Sequence, residues 1–76
     1  MTVDRELGET VRWHRRQAGL SREQLALLAG VGKTVIYDLE HGKDSLRWNT
    51  ILRILAALNI SLRFDSPLLR QAGEPG

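Results

Sequence analysis

Lys33, Thr34, Tyr37 and Asp38 stand at spacings that place them on one outward face of a short helix. They offer an ammonium, a hydroxyl, a phenol and a carboxylate. No catalytic constellation accompanies them, so the set suits recognition rather than catalysis. A lysine there can donate to guanine O6 or N7, and a threonine can bond a base edge or touch a thymine methyl. Tyr37, one turn on, can meet a base, a sugar, a phosphate or another protein. Asp38 is repelled by phosphates: it either accepts from a cytosine amine or pairs with a nearby arginine. Val35 is expected to be half-buried on the same helix, with a thymine methyl as its other possible partner.

Residues 20–40, LSREQLALLAGVGKTVIYDLE, must position that face. Ser21 with Gln24 three residues on is a capping box, the signature of a helix start. Leu25, Leu28 and Ala29 share a face, and Gly30 ends the helix. Val31 plugs the turn. Gly32, Lys33 and Thr34 open a second helix, with Ile36, Leu39 and part of Val35 inward, and Lys33, Thr34, Tyr37, Asp38 and His41 outward. Gly42 closes it. Two short helices joined by such a turn form a helix-turn-helix, whose second member enters the DNA major groove. Each is too short to stand alone, so a larger helical core must carry them.

A first helix over residues 4–18 supplies part of that core, with Leu7, Thr10, Val11, His14 and Ala18 inward. A fourth over 48–58 carries Trp48, Ile51, Leu52, Leu55 and Leu58 at helical spacing. Its start is ambiguous, because Asn49 is the better capping side chain while the apolar stripe begins at Trp48. Trp48 reads as core; Trp13 falls on no stripe and is either exposed or a partner contact. Residues 60–65, ISLRFD, switch to strict alternation, the period of a half-buried strand. A lone strand has no ladder partner. Pairing with the same strand of a second copy, through Ile60, Leu62 and Phe64, would resolve that; folding back on the monomer is the alternative. The organisation expected is a domain over 1–65 and a flexible tail over 66–76.

The run LSREQLALLAGVGKTVIYDLEHGK resembles the helix-turn-helix of the XRE/Cro family of repressors. The resemblance rests on the Leu-Ser entry, Leu25-Ala26, Gly30-Val31 and Leu39-Glu40-x-Gly42-Lys43, and extends over about residues 7–60. It implies a mainly α, lambda-repressor-like bundle of four to five short helices. It also implies an ion pair between Arg15 and Glu40 tying first and third helices. Ser21 and Arg22, at the entry of the second helix, and Lys43 and His41, at the end of the third, are implied phosphate contacts, which hold register without choosing sequence. Affinity should then fall steeply with salt, by about 0.9 in log–log slope per phosphate neutralised. The chain departs from the family at Arg22, where glutamine is common, and at His14, where an apolar residue is usual. Residues 46–62, LRWNTILRILAALNISL, are similar to the HipB-type antitoxins. That likeness implies a homodimer that binds operator DNA and a kinase-fold toxin of the HipA type. A stand-alone regulator, or a protein-interaction module without DNA binding, are the rival readings.

Composition agrees. At 76 residues, one domain is expected, without an added catalytic or sensor domain. Eleven Lys and Arg against nine Asp and Glu leave a net charge of only +2. The distribution is therefore more telling than the total: Arg12, Arg15, Arg16, Arg22, Lys33, Lys43 and Arg47 gather in or near the helix-turn-helix half. The absence of cysteine excludes a disulfide framework and suits a reducing cytoplasm. No apolar run reaches membrane-spanning length and no signal-peptide pattern opens the chain, so a soluble cytoplasmic protein is expected. The two histidines lack a ligand-spaced third residue, so no metal or other cofactor is expected. Gly32-Lys33-Thr34 has the end of a phosphate loop, but Leu27 stands where the first glycine is needed, and no strand precedes it. An enzyme is not expected.

Overall fold

The computed structural model describes residues 3–68 and contains, among them, four helices: α1 Val3–Gln17, α2 Arg22–Ala29, α3 Lys33–Glu40 and α4 Trp48–Ala57. α1 carries His14, Arg15 and Arg16 in its last turn, where the helix dipole favours cations. α2 begins on the expected capping box: the Ser21 hydroxyl accepts from the Gln24 N–H at 3.0 Å, and the Gln24 side chain accepts from the Ser21 N–H at 2.7 Å. It ends at Gly30, whose φ of 72° is left-handed. α3 starts after Gly32 with no side-chain cap. α4 follows Arg47 directly, so Trp48 and not Asn49 marks its start. Asn59 ends that unit in the left-handed region, a conformation asparagine tolerates better than most residues.

The short α2 and α3 pack on each other; α1 covers α3, and α4 covers α2. Val11, Leu25, Ala26, Ala29, Ile36, Leu39, Ile54 and Leu55 form the core. Leu7, Val31, Val35, Leu58 and Ile60 pack around it.

Several inward assignments are corrected. Leu28 is 63% exposed and Ala26 takes its place, because α2 is wedged between α3 and α4 and buries a different arc. Trp48 and Leu52 are 55% and 41% exposed, and α4 is anchored by Ile54 together with the expected Leu55. In α1, Thr10 and Ala18 are exposed, while Gly8, Val11 and Arg15 face inward. Gly8 is there because α1 crosses α3 backbone to backbone: a β-carbon at Gly8 would collide with the Leu39 carbonyl oxygen and come within 3.0 Å of that of Glu40.

The expected strand is absent. Residues 60–66 carry no regular structure, and no strand occurs among the described residues. A single chain provides no ladder partner for them. Ile60 packs on its own core, whereas Leu62 and Phe64 are 43% and 78% exposed. Residues 69–76 of the expected tail lie outside the described residues.

Candidate nucleic-acid interface

The interface is built outward from a buried charge cluster. Glu40, the last residue of α3, has a fully buried side chain. Arg15 of α1 grips it twice, Nε to Oε2 at 2.6 Å and Nη2 to Oε1 at 3.1 Å, and donates its Nη1 to the Leu20 carbonyl at 2.9 Å. Arg22 adds a third hydrogen bond, Nε to Glu40 Oε1 at 3.1 Å. Burial alone would push the Glu40 carboxyl up; the hydrogen bonds and charges of Arg15 and Arg22 together outweigh it and hold the group below its ordinary value. The ion pair implied by the family resemblance is therefore present. Arg22 is a third member that the sequence did not signal.

Above this cluster α3 turns its polar face outward. Ile36 and Leu39 lock the opposite face into the core, so the orientation of the helix is not free to rotate. Lys33, Thr34 and Tyr37 are exposed along its first two turns, as expected. Val35 is half-buried. Lys33 Nζ lies 3.4 Å from Glu23 Oε1 on α2. Glu23 was not foreseen, because no single-helix spacing links it to Lys33. Asp38 is half-buried and pairs at 3.4 Å with Lys43, rather than with an arginine.

Tyr37 is held from two directions. The His41 ring stacks on it with centroids 3.9 Å apart and planes 21° from parallel. His41 is itself fixed by an Nδ1–H donated to the Tyr37 carbonyl oxygen at 2.7 Å. The Arg22 guanidinium carbon stands 5.3 Å from the Tyr37 ring centroid, within cation–π range. Ser21 and Arg22 open α2 beside this face, and Lys43 lies just past its end. The structure thus brings Ser21, Arg22, Lys33, Thr34, Tyr37, Asp38, His41 and Lys43 to α3 and its immediate borders. Trp13 is exposed on α1 with its ring edge-on to His14 at 5.0 Å. Among the described residues no cluster of three or more metal-ligating side chains occurs, and no helix is long and apolar enough to cross a membrane.

Residues 6–63 match the family described as "Helix-turn-helix domain". Over 62 residues, 82% of this chain, it is 36% identical to the uncharacterized HTH-type transcriptional regulator y4mF of Sinorhizobium fredii, covering 82% of that protein. It is 34% identical over 62 residues to the control protein C.SmaI of Serratia marcescens, covering 74% of it. Among solved structures, the restriction-modification controller protein C.AhdI of Aeromonas hydrophila superposes with a TM-score of 0.69 at 31% identity, over 76% of this chain and 88% of that one. A chain of the HipA-HipB-O2-O3 complex superposes with a TM-score of 0.78, over 88% of this chain and 94% of that one, at 22% identity, a likeness of fold. The buried helix-turn-helix core, the outward polar face of α3 and these likenesses agree: the chain belongs to the helix-turn-helix family of DNA-binding transcriptional regulators, of the XRE type.

Proposed function

We propose that the chain is a sequence-specific repressor that binds a palindromic operator as a homodimer in the cytoplasm. The observation that carries this reading is α3 itself: Ile36 and Leu39 fix its inner face, while Lys33, Thr34 and Tyr37 stay exposed in its first two turns. In this reading Lys33, Thr34 and Tyr37 read base edges, with Asp38 at the border of the face. Ser21, Arg22, His41 and Lys43 are, in the same reading, the contacts to the duplex backbone. Leu62 and Phe64 are exposed, and in this reading they meet a second copy. Footprinting on the DNA upstream of the gene tests this. A protected, two-fold symmetric site is expected, and the absence of any protected site would overturn the reading.

The partner proposed for the repressor is a kinase-fold toxin of the HipA type, making this chain an antitoxin that represses its own operon. Support comes from the likeness of residues 46–62 to HipB-type antitoxins and from the shared fold. A second reading, control of a restriction–modification system, is favoured by the two relatives above 30% identity whose names describe controllers. Purification of the native operon product separates the two. A co-eluting kinase-like protein supports the antitoxin; its absence, with a methyltransferase gene adjacent, supports the controller.

A further inference from the structure

We propose that Arg22 and His41 are positioning residues for base reading: together they hold the Tyr37 ring in one orientation, so that its hydroxyl meets DNA preorganised. The proposal rests on the DNA-reading role assigned to α3 above. An exposed tyrosine ordinarily hops between rotamers in picoseconds to nanoseconds. Tyr37 is half-exposed yet its ring is stacked at 3.9 Å on His41 and overlooked by Arg22 at 5.3 Å. Both holders are themselves fixed. His41 is tied by its Nδ1 to the Tyr37 carbonyl oxygen, and Arg22 by its Nε to Glu40, which Arg15 grips in turn. A continuous set of contacts therefore runs from a buried carboxylate to the Tyr37 ring. The Tyr37 hydroxyl is the group such a ring presents as a donor. The group that would receive it is an acceptor on the DNA, such as a guanine O6, a thymine O4 or a phosphate oxygen.

This role differs from that of a phosphate anchor in what it predicts. An anchoring arginine contributes about 0.9 to the salt slope and strengthens binding to all sequences alike. A positioning arginine removes an ordering cost that matters only where Tyr37 makes its contact. Its loss should lower the preference for operator over scrambled DNA by roughly three- to tenfold, the scale of one immobilised side chain.

The full-length protein, its footprinted operator and a scrambled duplex of equal length test this. Arg22→Lys keeps the charge but loses the planar guanidinium. His41→Ala opens the stack without touching the Glu40 cluster, and carries the test alone if Arg22→Lys does not fold. Both variants should weaken binding to the operator more than to scrambled DNA, so that discrimination falls about three- to tenfold whatever either residue adds at the backbone. Tyr37 is the chain's single tyrosine, so its ring proton resonances are unambiguous. In His41→Ala without DNA they should move from ring-current-shifted positions toward free-tyrosine values. Tyr37→Phe should lose the same discrimination with its ring still shifted. Equal weakening on both duplexes in both variants, or unmoved Tyr37 resonances in His41→Ala, would overturn the proposal. A wild-type protein that does not distinguish the duplexes would instead overturn the function reading, and base positioning with it, while the resonances still report the stack.

Discussion

Arg15 and Glu40, twenty-five residues apart, meet through two hydrogen bonds of 2.6 and 3.1 Å at the junction of α1 and α3. The pair ties the end of α3 to α1. Removing the carboxylate would leave Arg15 buried without its counter-charge. Glu40→Ala should therefore cost about 3–5 kcal/mol, a large part of the roughly 5–15 kcal/mol that holds a small domain together. Chemical denaturation followed by circular dichroism measures this directly.

The same carboxyl makes stability depend on pH. Its folded value lies below the ordinary 4.5, so the unfolded chain binds the proton more readily. The stabilisation is therefore complete above about pH 4.5 and is lost as pH falls through the lower folded value. Glu40→Gln should flatten this part of the acid limb. Thermal unfolding midpoints between pH 2 and 7 for both proteins provide the comparison.

Gly8 offers a test with an inverted sign. Glycine to alanine in the middle of a helix ordinarily stabilises by about 1 kcal/mol. Here the added methyl would run into the backbone oxygens of Leu39 and Glu40, which cannot move aside without shifting α3. Gly8→Ala should instead destabilise by about 1–3 kcal/mol. An unchanged or raised melting temperature would contradict the close crossing of α1 and α3.

Two acids temper the cations on and beside the outward face of α3: Glu23 pairs with Lys33 and Asp38 with Lys43, each at 3.4 Å. Exposed pairs of this kind are worth about 0.2–1 kcal/mol. Glu23→Gln and Asp38→Asn should each raise affinity for arbitrary duplex DNA, by up to about fivefold at low salt and less at high salt. Fluorescence anisotropy on scrambled DNA over a salt series reads both effects. Lys33→Ala with Thr34→Ala should have the contrasting outcome, loss of operator preference at unchanged helicity.

Leu62 and Phe64 remain exposed in the single chain. If they meet a second copy, Leu62→Asp with Phe64→Asp should yield a monomer by light scattering. Persistence of a dimer would move the interface elsewhere.

Much of this fold is legible along the chain because its helix ends are marked locally. The Ser21–Gln24 capping box and the left-handed Gly30, Gly42 and Asn59 all act within one turn of the residue that signals them. The outward placement of Lys33, Thr34 and Tyr37 is likewise a consequence of helical period once Ile36 and Leu39 face inward.

What only the tertiary structure decided is how the helices meet. Periodicity assumes one buried stripe per helix, yet α2 lies between α3 and α4, and so Ala26 is buried while Leu28 faces solvent. Ile54 rather than Trp48 anchors α4 for the same reason. The recruitment of Arg22 to Glu40 and its approach to Tyr37 arise from side chains of different helices meeting at a crossing. The strand expected over residues 60–65 marks the same boundary from the other side. Alternation is written in the sequence, but a strand exists only where another supplies its hydrogen bonds, and the single chain does not. Sequence by itself determined the helix-turn-helix, its caps and the face it turns outward, because those depend on neighbours within a turn. Which side chains are buried, and that Arg22 meets both Glu40 and the Tyr37 ring, depended on crossing angles that no local spacing encodes.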